Sequence, residues 1–252
     1  MIDGMATTVG KMLSTLPKDA AGSSMEKMKA LRAFLYEAGW WNNNQPFQYD
    51  LDDPYGQKPG AQLLANYLAT KKGNCVSMPI LFLILAERLG IDVTLSTAPL
   101  HVFVKFTDDE ARIWNLETTS GAGFTRDEWY RTKLPMSETA ISNGVYMKKL
   151  SRKEALSIIA SSVLDHLLAT GRYEEAIKVS DILLEAYPAN AYTLVKKGTA
   201  YYRLLQRDIV EKYPKESDIP SDKRGYAEDL YASNRAAFVR AEALGWTPPS
   251  LK

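Results

Sequence analysis

The residues able to do covalent chemistry are few: one cysteine and two histidines in 252 residues. Cys75 stands in Lys71-Lys72-Gly73-Asn74-Cys75-Val76-Ser77-Met78-Pro79, between a glycine turn and an apolar run from Val76 to Leu89. That run is long enough for about four helical turns, and Glu87-Arg88-Leu89-Gly90 closes it with a charged turn and a C′ glycine. Pro79 is tolerated only in a first turn, so the helix starts near Cys75. Free N–H groups and the positive end of the helix dipole favour an anion there. A thiolate is the anion a cysteine supplies, and thiols at helix N-termini or beside an imidazolium titrate at about 3.5 to 7.5 instead of about 8.5. The position suits a nucleophile. The alternative is a small buried hydrophobe, a common state for a free cysteine.

The elements that must position a partner follow at once. Ile91, Val93 and Leu95 alternate with Asp92, Thr94 and Ser96 until Ala98-Pro99 breaks the strand. His101 to Phe106 alternates again, as does Ile113 to Glu117, with Thr107-Asp108-Asp109-Glu110 as the turn between them. This predicts a small antiparallel sheet. A hairpin centred on Asp109 sets Phe106 opposite Arg112 and His101 opposite Glu117, whose carboxylate would then orient the imidazole. A two-residue slip substitutes Asn115, which shares the face of Glu117, whereas a one-residue slip ruins the pairing. For His101 the alternative is a structural histidine at a strand start. His166 lies in an apolar helical pattern beside Leu164, Leu167 and Leu168 and reads as structural.

Around this segment, residues 2 to 16, 25 to 39 and 62 to 72 read as helices. Between 40 and 60, Trp40, Trp41, Phe47, Tyr49 and Tyr55 follow neither period, so they either wall a substrate groove or pin a loop to the core. Gly121 and Gly123 make a turn beside the candidate site, and Gly144 to Met147 reads as a short strand. Thr125-Arg126-Asp127-Glu128 and Ser151-Arg152-Lys153-Glu154 both read as capping boxes. The second opens a wholly helical region, which places a domain boundary near 150 and divides the chain into 1–150 and 151–252.

Composition narrows the function classes. With 31 basic and 30 acidic side chains, net charge +1, there is no field for a phosphate backbone, so nucleic acid is not an expected partner. One cysteine excludes an internal disulfide and fits a reducing compartment. Two histidines with one cysteine are too few soft ligands for a zinc site, and neither clustered carboxylates nor a calcium loop is present, so no metal and no cofactor is expected. No apolar stretch approaches the roughly 18 residues of a membrane span, and Met1 to Leu16 is not built like a signal peptide. The expectation is a cytoplasmic protein with no membrane partner; a leader removed before Met1 would be invisible in this sequence.

The order Cys75, His101, Glu117, with Gly73-Asn74-Cys75 similar to a Gly-x-Cys helix start and Leu116-Glu117-Thr118-Thr119 similar to the Asp-Pro-Thr after a histidine strand, resembles the transglutaminase-like superfamily. The resemblance runs from about residue 25 to 130 and points to the bacterial branch in which this core precedes tetratricopeptide repeats. It implies an α+β fold: a papain-like, transglutaminase-type core of helices packed on a small antiparallel sheet, then an all-α helical repeat domain. Carried onto this chain, Cys75 is the nucleophile, His101 the general base and acid, and Glu117 the group orienting His101. Two positions depart from the pattern. The third member is usually Asp, one methylene shorter than Glu117, and the following proline is Thr118 here. Asn115 is the substitute third member, because Cys/His/Asn also serves in papain-like proteases. The implied chemistry is peptidase, amidase or transglutaminase-type transfer on a protein or peptide substrate. The oxyanion would meet the Cys75 N–H and one further donor, and Trp40 and Trp41 carry N–H groups of the right kind.

Gly171-Arg172-Tyr173-Glu174-Glu175-Ala176-Ile177, followed by Pro188, resembles a tetratricopeptide unit. A second unit begins at Ala191, with Gly198 and Tyr201 in the matching places, and is interrupted by the charged segment Arg207 to Arg224 before a closing helix, Asn234 to Leu244. Such repeats cap a neighbour or bind a protein partner on their concave face. The competing function is therefore a non-catalytic interaction module on the same scaffold.

Overall fold

The computed structural model describes residues 1–58 and 60–248. It divides into two compact units, Met1–Pro135 and the residues from Met136 onward. The first unit opens with helices α1 (Ile2–Leu13), α2 (Lys18–Ala21) and α3 (Ser24–Tyr36). A two-residue strand β1 (Gln48–Tyr49), helix α4 (Leu64–Thr70) and strand β2 (Lys72–Gly73) lead into α5 (Ser77–Arg88). Strands β3 (Val93–Ala98), β4 (His101–Thr107), β5 (Ile113–Glu117) and β6 (Gly123–Thr125) follow, and α6 (Asp127–Lys133) ends the unit.

Helix α5 is central because its sequence leaves it no polar face. Met78, Leu81, Phe82, Leu85 and Ala86 are all buried, and a helix apolar all round must be enclosed. It packs against α1, α3, α4, β3 and β4. Leu31 and Leu35 of α3 and Leu95, Phe103, Val104, Phe106 and Leu116 of the sheet are fully buried. Each such side chain contributes about 1.5–3 kcal/mol by leaving water.

The four strands form one antiparallel sheet in the order β3-β4-β5-β6. The β4–β5 register differs by two residues from the sequence expectation: Phe106 faces Trp114, not Arg112. Asp108 is the cause. Its carboxylate accepts from the Glu110 and Arg112 N–H groups, from Arg112 Nε at 2.7 Å and from Trp114 Nε1 at 2.8 Å, which winds a longer loop around it. Strand β6 was hidden in a glycine-containing stretch. Because Thr125 belongs to that strand, it caps nothing: α6 begins at Asp127 without a side-chain cap.

The second unit holds α7 (Glu138–Ser142), α8 (Arg152–Ala169), α9 (Tyr173–Ala186), α10 (Ala191–Leu205) and α11 (Ser221–Ala243). The Ser151/Glu154 capping box is formed at the head of α8. Consecutive long helices pack together, and α10 approaches α11 so closely that a Cβ at Gly198 would lie 2.7 Å from the Phe238 ring. The unit starts earlier than residue 150 because Ala140 and Val145 pack with Ala191, Leu244 and Trp246. Gly144 to Met147 is not a strand: Val145 N donates to the Ala140 carbonyl and Met147 has φ +62°. Among the described residues no helix is long and apolar enough to cross a membrane.

Candidate active site

Cys75 sits two residues before α5, at the tip of a turn clamped from both sides. Asn74 Oδ1 accepts the N–H groups of Val76 (3.0 Å) and Ser77 (3.1 Å), and Ser77 Oγ accepts that of Asn74 (3.1 Å). Asn74 Nδ2 also donates to the Ala61 carbonyl at 3.0 Å. Both clamping side chains are buried, so the turn is fixed by groups that have no water to turn to. Pro79 falls in the first turn of α5, where a missing N–H breaks no helical bond. The Cys75 thiol between them is partly exposed and lies 3.8 Å from the Leu100 carbonyl oxygen. Among the described residues nothing accepts a hydrogen bond from the Cys75 N–H. Gly73 is required here, since a Cβ would stand 2.5 Å from the Tyr67 ring.

His101 begins β4, and its Nε2 is 2.7 Å from Glu117 Oε2. Cys75 interacts with the same ring. Continued past Val104↔Leu116, the register would set Glu117 against Phe103, two residues from His101. The pair is therefore diagonal, and diagonal neighbours stand about 7–8 Å apart with their Cβ atoms somewhat closer, a span that long side chains cross. The additional methylene that distinguishes Glu117 from an aspartate supplies the reach. Asn115 is not brought to His101. It lies directly opposite Lys105, accepts from its Nζ at 2.7 Å, and donates to the Thr125 carbonyl and to Asp127 Oδ1.

Two partners of Glu117 were not read from the sequence. Thr119 donates to Oε1 through its N–H (3.1 Å) and its hydroxyl (2.6 Å), and Tyr130 Oη donates to Oε2 at 3.0 Å. The Thr119 contacts are the local capping kind that a Glu-x-Thr spacing permits, whereas Tyr130 arrives by way of α6, which no local signal ties to β5. Thr118, where the family pattern has proline, is fully buried, and its hydroxyl has no partner among the described residues. Tyr130 stacks on Phe103 with ring centroids 4.1 Å apart, and His101 stands 6.0 Å from Tyr130.

The electrostatics follow from these contacts. Burial disfavours a charge on His101, but its hydrogen bonds to Cys75 and Glu117 outweigh that and raise its pKa to about 9. Burial likewise works against ionised Glu117, yet the bonds from His101 and Thr119 hold it below the ordinary carboxylate range. Burial, then the neighbouring Glu117 charge, push Tyr130 upward, so it remains a donor. An imidazolium and a carboxylate thus coexist at neutral pH beside Cys75. Trp41 Nε1 is engaged by the Ala33 and Glu37 carbonyls and is not turned to the site. Among the described residues no three His, Cys, Asp or Glu side chains gather to hold a metal ion.

Comparison with known proteins finds similarity at the level of family. The family described as "Transglutaminase-like superfamily" matches residues 1–160. A UPF0162 protein of Buchnera aphidicola subsp. Baizongia pistaciae is 24% identical over 144 residues, covering 56% of this chain and 53% of the relative. Protein SirB1 of Salmonella typhimurium is 22% identical over 186 residues, covering 72% and 65% respectively. The chain thus spans about half to two thirds of the length of the curated relatives it matches. No solved structure matches it.

Proposed function

The chain belongs to the transglutaminase-like superfamily, and from that membership we propose that it performs cysteine-dependent acyl chemistry on an amide or peptide bond. The observation that carries this reading is the single imidazole shared by Cys75 and Glu117, with Nε2 at 2.7 Å from the carboxylate. Cys75 Sγ attacks the substrate carbonyl carbon as a thiolate, with His101 carrying the proton that the leaving group will need. As the tetrahedral intermediate collapses, the C–N bond breaks, His101 gives that proton to the leaving amine, and a thioester remains on Cys75. Water or a second amine then attacks the thioester, His101 takes the incoming proton, and the C–S bond breaks. Glu117 holds the ring in place throughout, itself fixed by Thr119 and Tyr130. The Cys75 N–H, which has no acceptor among the described residues, would donate to the oxyanion.

Water makes the protein a hydrolase and an amine makes it a transferase; both pass through the same thioester. Acylation by p-nitrophenyl acetate, followed by intact mass, tests the reading. The expected result is a burst of p-nitrophenolate matched by one acetyl group on Cys75, absent in Cys75→Ser. A protein that releases no burst and gains no acetyl mass would instead be the interaction module, working through its helical unit. For that unit we infer tetratricopeptide-like repeats, supported by the packing of consecutive helices α8 to α11 and by the close approach at Gly198.

A further inference from the structure

Three exposed apolar residues lie on segments that adjoin the Cys75 turn: Leu51 is 81% exposed, Tyr55 71% and Leu100 60%. Scattered exposed apolar residues are ordinary on a protein surface. These three are tied to the backbone on either side of the thiol, and one is held there against its own conformational preference.

Ala98 pairs with His101, so Pro99-Leu100 is a two-residue hairpin loop, and Leu100 has φ +55°. Glycine or asparagine normally fills such a position, because an ordinary side chain costs about 1–2 kcal/mol in the left-handed region. Leucine there is unfavourable twice, once for its backbone and once for its exposed surface, so the fold gains nothing from its identity. Its carbonyl oxygen lies 3.8 Å from Cys75 Sγ. Covalent geometry then keeps its Cβ within about 7–8 Å of the sulfur.

Leu51 and Tyr55 approach from the other side. Tyr49 pairs with Gly73, and Asp50 N donates to the Gly73 carbonyl at 2.7 Å, which puts Leu51 one residue beyond a contact made two residues before Cys75. Tyr49 Oη donates to the Pro54 carbonyl at 2.8 Å. Gly56, next to Tyr55, lies so near Asn74 that a Cβ there would stand 2.5 Å from Asn74 Nδ2. Two carboxylates of this loop are already engaged: Lys72 Nζ meets Asp52 at 2.8 Å, and the Asp53 carboxylate accepts the Gln57 and Lys58 N–H groups.

From this placement we infer that Leu51, Tyr55 and Leu100 form an apolar subsite for the acyl donor, so that the substrate side chain beside the reacting carbonyl is aliphatic or aromatic and uncharged. The inference rests on the acyl chemistry proposed above. It is tested by alkylating Cys75 with N-benzyl-iodoacetamide and with iodoacetamide, each rate divided by that of N-acetylcysteine with the same reagent. The two reagents share one reacting carbon, so the ratio of normalised rates reports the apolar contact alone. The expected ratio is about ten in the wild type, the effect of roughly 1.4 kcal/mol of apolar burial, and falls toward one in Leu100→Gly. The melting temperature of Leu100→Gly stays level or rises, because the left-handed strain is relieved. A wild-type ratio near one, or a ratio unchanged in folded Leu100→Gly, overturns the subsite. Should Leu100→Gly fail to fold, Tyr55→Ser on the exposed loop is read the same way. A normalised iodoacetamide rate no greater than one overturns the acyl chemistry itself, and is seen in the denominator before any ratio is taken.

Discussion

The β4–β5 hairpin carries two basic groups on one face, and each is met by an acceptor from β5. At one end Lys105 faces Asn115 directly in the register, with Nζ 2.7 Å from Oδ1 and Asp127 at 3.9 Å. At the other end His101 reaches Glu117 across a diagonal. Phe103 lies between them, its ring under Lys105 Nζ at 5.6 Å and stacked beside His101. The directly opposed pair satisfies its members and closes. The diagonal pair engages Nε2 of an imidazole that also interacts with Cys75. Two basic residues four apart on one strand thereby meet their acceptors differently through register alone, Lys105 directly and His101 across the diagonal.

The comparison breaks most severely at Glu117. Glu117→Ala removes the acceptor of four hydrogen bonds and leaves a buried imidazolium unpaired, so urea denaturation should show a loss of about 3–5 kcal/mol. Asn115→Ala, tested alongside, should cost about half as much or less, because Lys105 keeps Asp127. Equal losses at both ends would contradict the distinction between them.

Titration sharpens it next. His101 is raised to about 9, so its stabilising contribution is complete below its unfolded value near 6.5 and is lost as pH rises through 9. Glu117 is lowered, so its contribution is complete above its unfolded value and fades as pH falls through the folded one. The stability difference between wild type and His101→Ala should therefore shrink by about 3 kcal/mol between pH 6.5 and 9. A flat difference across that window would mean that His101 is not held charged.

Smaller effects separate the supports from the pair. Tyr130→Phe removes one hydrogen bond to a charged acceptor and should cost about 1.5–3 kcal/mol in thermal or chemical denaturation. Lys105→Met, which replaces a buried ammonium by an apolar stem of similar length, should change stability by roughly 1 kcal/mol or less and leave the pH profile of Cys75 alkylation where it was. A shifted profile in that variant would show that the two ends of the hairpin are coupled.

Much of this was legible in the residues. The unbroken apolarity of Val76 to Leu89 marks a central helix, and alternation marks β3, β4 and β5. Parity alone puts His101 and Glu117 on one face, which a two-residue slip preserves. The slip itself was not legible, since it depends on how Asp108 gathers donors from Glu110, Arg112 and Trp114 into one loop. Tyr130 was not legible either, because its contact with Glu117 spans the turn, the short strand β6 and the start of α6. The Glu-for-Asp departure gained its physical reason only with the register: a diagonal partner needs the longer side chain.

The central claim is that His101 is charged beside the Cys75 thiol, and alkylation of Cys75 by iodoacetamide against pH, read by intact mass in wild type and His101→Ala, addresses it most directly. The account predicts a fast wild-type reaction that persists well below pH 7 and a mutant rate at pH 6 lower by about 100-fold or more. Superimposable profiles with a single rise near pH 8.5, or no labelling before unfolding, would contradict it.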